Sequence, residues 1–430
     1  MKRFLSLVLT MLLVVSGLYC ASASAEGVVE IDFMHAETDE GRITVLQSII
    51  DSFMAGNPGI KVNQMIVSED DLWTKTAAMI VSGDLPAVVE AGTDMMRMMI
   101  AEETIDTAAN TEVIELAGKD RFYTGALSLC KNGEDGYIGV PVSGWVSGIW
   151  YRKSWFAEKG LEAPTNWENI LAAAKAFNDP ANKVYGVVFP TDVSDFTEQI
   201  FNNFCASNEF ELFDADGNAQ FDTEKMEQLL SFYKELYQYG VPGSVGVEEV
   251  KDTLVGGHAA MGMYSTYILG ALREAGLADD IGFAVPHNVA DGGYGMTTTT
   301  AITADLDAAS REAAVKFVAY MCSPDMNIIR CHMAAGGANP TLRDVATNPE
   351  YLDNEVIQAF SSIAASIPEA FESMGCLGFQ NGIMHPAMGN ISAKMIIPQC
   401  IYNITVGGAD IKTEMAATQA LIQAEVDAVR

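Results

Sequence analysis

The chain reads as an α/β protein built from two packed units, and three observations predict this. A strand–helix–strand unit spans residues 28 to 67, the arrangement from which parallel sheets are assembled. An apolar segment between Tyr137 and Tyr151 has the composition of extended chain crossing from one body to another. The chain has 430 residues, 49% hydrophobic and 19% charged, enough to bury two cores.

The first unit is read from its periodicities. Val28 to Phe33 alternates as a strand, and Ile43, Leu46, Ile49, Ile50 and Phe53 recur at helical spacing until Asn57-Pro58-Gly59 stops them. Ile60 to Val67 is the second strand, Trp73 to Val81 a helix ended at Gly83, and Pro86 to Val89 a third short strand. Asp94 stands where it would cap a helix from Met95 to Ile100. Met95, Met96, Met98 and Met99 read as gap-filling core; no histidine or cysteine beside them supports a soft-metal site.

In the crossing segment, Ile138, Val140 and Val142, then Ile149 to Tyr151, are punctuated by Pro141, Gly144 and Gly148, a pattern able to serve as a hinge. Thr165 followed by Glu168 reads as a capping box behind Pro164. It starts a helix that buries Trp167, Ile170, Leu171, Ala174 and Phe177. Asp214-Ala-Asp216-Gly217-Asn218 opens like a calcium loop. Ala219 occupies the place of the required glycine, however, and Lys225 that of the bidentate glutamate. The segment is instead a hairpin turned at Asp216-Gly217, before a helix capped near Asp222 and striped by Met226, Leu229, Leu230, Tyr233, Leu236 and Tyr237. A closing helix, Ile411 to Val429, carries Met415, Thr418, Leu421, Ile422 and Val426 on one face.

Lys2 and Arg3, the apolar run Phe4 to Val15 and Ala23-Ser24-Ala25 together form a secretory signal peptide over residues 1–25. Its removal leaves 405 residues and takes the net charge from −32 to about −34. Such a chain is repelled by nucleic acid and by anionic membrane surfaces. Cys20 is an alternative lipidation site, although Tyr19 stands where a small residue is usual. Six cysteines follow the leader, none in a C-x-x-C pair, so disulfides are permitted but their pairing is open. The five histidines lack the i, i+4 spacing of metal ligands, and no cofactor or metal is expected. Ser147 is one position off a nucleophile elbow, no phosphate-binding glycine loop occurs, and nothing singles out a catalytic pair among 57 acids.

The order of crossing segment, Trp145 and capped helix from Tyr137 to Leu171 resembles the extracellular solute-binding proteins of ATP-driven sugar importers, the group that includes maltodextrin-binding protein. Leu254-Val-Gly-Gly-His-Ala-Ala-Met-Gly-Met-Tyr264-Ser-Thr-Tyr267 and Gly336-Gly337-Ala-Asn339-Pro340 extend the resemblance. Ser82-Gly83-Asp84-Leu85-Pro86-Ala87 departs from it at Ala87, where a carboxylate is usual. The resemblance implies a two-lobed periplasmic-binding-protein fold (type II, Venus-flytrap) with an interlobe ligand cleft. One lobe would comprise residues 26–140 and 295–345, the other 141–294 and 346–430.

It further implies a monomeric, extracytoplasmic protein of the periplasm or cell surface. This protein would capture a carbohydrate and deliver it to the membrane permease subunits of an ABC transporter. Trp145, Tyr264 and Tyr267 are the stacking candidates, with His35, Glu37, Asp94 and Asn339 as polar ones. The acidity keeps open a cationic solute such as a polyamine or peptide. An exported glycan-degrading enzyme and a sensor's binding partner are the remaining alternatives.

Overall fold

The computed structural model describes residues 27–134, 136–380 and 382–430. The expected signal peptide and Cys20 lie outside the described residues. The opening unit is present as β1 (Val29–His35), the helix Glu40–Gly56 and β2 (Ile60–Ile66), with β1 and β2 parallel and paired along their whole lengths. The remaining main strands are β3 (Val88–Gly92), β4 (Val140–Arg152), β5 (Tyr185–Val188), β6 (Ala259–Ser265), β7 (Ile281–Ala284), β8 (Gly293–Ile302) and the short β9 (Met374–Gly375). The hydrogen-bonded order is β2-β1-β3-β8-β4-β6-β5, with β7 beside β4 and β9 beside β8.

Two strands carry the chain between the cores. From Val140 to Ser147, β4 pairs antiparallel with β8; its second half then lies between β6 and β7. The other end of β8 pairs with β3. The segment expected to be broken by Pro141, Gly144 and Gly148 is thus one continuous strand, and its single irregularity is a bulge between Pro141 and Ser143. Carbonyls at that bulge are satisfied from outside the ladder: Thr341 Oγ1 donates to the Pro141 carbonyl and Asn327 Nδ2 to that of Val142, each at 2.7 Å.

One apolar core gathers Phe33, Ile50, Val88, Met96, Val140 and Phe317; another gathers Phe204, Leu229, Tyr233, Leu236, Ile401 and Ile422. A third, around Trp150, Leu272 and Phe371, fills the space beneath the second half of β4. Gly295 makes the close approach of the crossing strands possible, since a Cβ there would sit 2.1 Å from the Trp145 carbonyl oxygen. Gly295→Ala is therefore expected to destabilise by about 1–3 kcal/mol, read as a lower melting temperature; an unchanged temperature would show that the strands can separate at no cost.

Several expected boundaries move by a residue, for local reasons. Asn166, not Thr165, caps the helix Trp167–Phe177, accepting from Asn169 N at 2.8 Å, because the Thr165 carbonyl is engaged by His287 N. Thr223, not Asp222, caps Glu224–Tyr237. Asp94 is not a cap: Gly92 holds that position, and Asp94 lies in the first turn of Thr93–Ala101. Leu421 is exposed, because the buried stripe of Ile411–Ala428 runs through Met415, Thr418, Ile422 and Val426, and Leu421 sits about 100° away from Ile422. The six cysteines after the leader are free thiols, five of them buried; burial pushes Cys130 up to about 11 and Cys322 and Cys331 up to about 12.

Candidate functional site

A cavity of about 730 Å³ opens between the two main cores. Asp94 and Arg97 line it from the helix Thr93–Ala101, Glu198 and Asn202 from the helix Asp195–Ser207, and Tyr294 and Met296 from the crossing strand β8. Residues far apart in the chain meet here because β4 and β8 hold the helices to a common floor. Asn203 ties the second helix to both strands: its Nδ2 donates to Ser147 Oγ at 2.7 Å and its Oδ1 accepts from Tyr294 N at 3.2 Å. Gly92 makes room on the other side, since a Cβ there would meet Asp94 Oδ1 at 2.5 Å and Met296 Sδ at 3.1 Å.

A row of aromatic rings runs alongside. Trp145 stands in register with Met296 on β8 and meets Tyr294 edge-on, with centroids 5.9 Å apart; the Tyr267 ring centroid lies 6.4 Å from that of Trp145. These separations lie within the range of favourable ring pairs. Tyr267 is 62% exposed as a residue, yet desolvation by its surroundings is the main influence that pushes its hydroxyl above the ordinary value, with Arg42 opposing and Glu37 and Glu69 assisting. Glu37 is paired with Arg42 at 3.0 Å.

The residues expected from sequence fall into two groups. Asp94 lines the cavity, Trp145 touches it through its contact with Tyr294, and Tyr267 and Glu37 lie outside its lining, Tyr267 near Trp145 and Glu37 paired with Arg42. Tyr264, His35 and Asn339 are buried instead, for identifiable reasons. The Tyr264 ring packs on Phe196 at 5.2 Å, while its carbonyl accepts from Trp150 Nε1 at 2.8 Å. Nδ1 of His35 accepts from Glu37 N at 3.2 Å and so shapes the turn after β1. Asn339 spends its carboxamide on Thr266 Oγ1 and on the carbonyls of Gly336 and Gly337, while its backbone pairs with Gly144. It thereby places the loop on which the Tyr267 ring rests: a Cβ at Gly337 would lie 3.0 Å from that ring.

Arg97, Tyr294, Glu198 and Asn202 were not singled out from sequence. The i, i+4 spacing of Glu198 and Asn202 was the available signal, since it puts both on one face of a helix. Arg97 lies 4.7 Å over the Phe379 ring and donates to the Leu129 carbonyl. Among the described residues, no group of three His, Cys, Asp or Glu side chains could hold a metal ion, and no helix is long and apolar enough to cross a membrane.

Desolvation holds the buried His35 imidazole below its ordinary value, against the opposing pull of Glu90. The unfolded chain takes up this proton near pH ~6.5 and the folded one does so only lower, so the stability from a neutral His35 is intact above that pH and lost as pH falls. Between pH 7 and 5, the melting temperature of the wild type should fall more steeply than that of His35→Asn; parallel profiles would rule His35 out as the cause.

The sequence matches the family model for bacterial extracellular solute-binding protein over residues 39–328. It is 38% identical over 393 residues to an Escherichia coli (strain K12) protein that carries the provisional name ABC transporter periplasmic-binding protein YcjN, with 91% of each chain covered. The cyclic alpha-maltosyl-1,6-maltose binding protein of Arthrobacter globiformis superposes with a TM-score of 0.76 at 20% identity, over 93% of this chain and 99% of its own. The sugar-binding protein MalE of Xanthomonas citri does so with a TM-score of 0.78 at 16% identity, over 94% and 98%. At such identities the two structures establish a common two-lobed fold, while the sequence matches establish kinship. The chain belongs to the family of bacterial extracellular solute-binding proteins, the extracytoplasmic ligand-binding components of ABC transport systems.

Proposed function

We propose that the chain captures a neutral carbohydrate in the opening between its lobes and delivers it to the permease subunits of an ABC transporter, as a monomer and without bond-making. The lobes are taken as residues 26–140 with 295–345 and 141–294 with 346–430, the first core also drawing in Tyr351 and Ile357. The observation that carries the reading is the aromatic row Tyr267–Trp145–Tyr294 beside a cavity with polar groups from both cores. Aromatic faces stack on the C–H surfaces of sugars, while carboxylates and amides take their hydroxyls. A solute touching both lobes stabilises the closed arrangement over the open one, the signal a permease can read. The structural neighbours named above, one described as binding cyclic alpha-maltosyl-1,6-maltose and one as a sugar-binding protein, support the choice of ligand class.

A cationic solute is the second reading, favoured by Asp94, Asp195 and Glu198 around one cavity and by the net charge of −32. Thermal-shift screening of the mature chain separates the two. A ligand at ~100 Kd adds roughly 2.7 kcal/mol of stability. Maltose, longer maltodextrins or polyols should raise the melting temperature, and a rise with putrescine or spermidine alone would sink the carbohydrate reading. Turnover of labelled maltodextrin by the purified protein would overturn the claim that binding is the whole activity.

A further inference from the structure

We infer that Glu198 is a specificity-determining residue of this cavity, its Oε2 accepting a hydrogen bond from an O–H or N–H group of the solute; the inference rests on the binding reading above. Glu198 is only 9% exposed, yet it is one of the residues that line the cavity. Its Oε1 accepts from Ser392 Oγ at 2.6 Å, which fixes the plane of the carboxyl group. Oε2 is buried and has no hydrogen-bond partner among the described residues.

Two polar neighbours in that wall have partners of their own. Asn202 Nδ2 donates to the Glu198 carbonyl, and Asn202 Oδ1 accepts from Leu377 N at 2.6 Å. Arg97 is held by Phe379 and the Leu129 carbonyl. A buried acceptor without a donor is costly to keep. Burial, followed by the charge of Asp195, also pushes the carboxyl group above its ordinary range, while Ser392 pulls it back. A solute that presents a donor at this point removes the cost on closure. One without a donor leaves the cost in place and is rejected, which is how a polar pocket discriminates more sharply than an apolar one.

The test is calorimetric titration of the mature chain and of Glu198→Ala and Glu198→Gln with maltose, D-glucose, D-glucosamine and D-mannitol. Gln keeps an oxygen for Ser392 but turns an N–H donor toward the solute, so both variants should bind about 10–100-fold more weakly. Their ligand-free melting temperatures should equal or exceed that of the wild type, an outcome that a structural role would not produce. A preference for D-glucosamine over D-glucose that disappears in Glu198→Ala would identify the donor as an amine; loss across the neutral sugars would identify it as a hydroxyl. Wild-type affinity in either variant overturns the inference and leaves the binding reading intact. A wild type that binds none of the four, and none of the sugars, polyols or polyamines of the thermal screen, overturns both.

Discussion

Arg330→Met is expected to lower the unfolding free energy by about 3–5 kcal/mol, seen as a large drop in melting temperature with no solute present. Arg330 Nη2 lies 2.6 Å from Glu90 Oε1, and the two side chains are 3% and 4% exposed. Glu90 Oε2 accepts from Thr300 Oγ1 at 3.0 Å, so the carboxylate is held from two sides. Without the guanidinium, Glu90 is left as an uncompensated buried charge, and this penalty sets the magnitude, not the net worth of the pair.

The pair itself contributes much less, because Nε and Nη1 of Arg330 have no partners among the described residues and stay desolvated. The double variant Glu90→Leu with Arg330→Met should accordingly regain most of the loss. A single-variant loss below about 1 kcal/mol would mean that water reaches the pair and that it behaves like a surface ion pair. The pair also bears on the site. Glu90 sits on β3, just before the helix that bears Asp94, and Arg330 on Pro324–His332, just before the loop that supports Tyr267.

Trp145→Ala should weaken binding by about 2 kcal/mol or more, roughly 30-fold in Kd, whichever sugar the thermal screen selects. Trp145 is the middle of the aromatic row, so its loss removes one stacking face and frees Tyr267 and Tyr294 from their common neighbour. The indole belongs to none of the three apolar cores, so the ligand-free melting temperature should change little. Titration of both proteins with the same sugar checks this. Equal affinities together with a lower melting temperature would assign Trp145 to packing between the lobes.

Much of this molecule was legible in its order of residues, because the signals were local. Alternation in Val28 to Phe33, helical spacing from Ile43 to Phe53 and the crossing segment around Trp145 each arise within about a dozen residues, where hydrophobic period and turn chemistry act directly. Those elements were within reach of sequence reasoning. Which polar candidates face solvent was not. His35, Tyr264 and Asn339 have the right chemistry and neighbours along the chain, yet they point inward because distant groups claim them: Phe196 for Tyr264, Thr266 for Asn339.

The ion pair of Glu90 with Arg330 spans 240 positions, and the Glu198 carboxyl group is held by Ser392, 194 positions away. Periodicity decides whether a side chain faces inward or outward on its own element. Whether the space it enters is core or cleft depends on which other elements arrive there, and that is settled only when β4 and β8 carry the chain across and back.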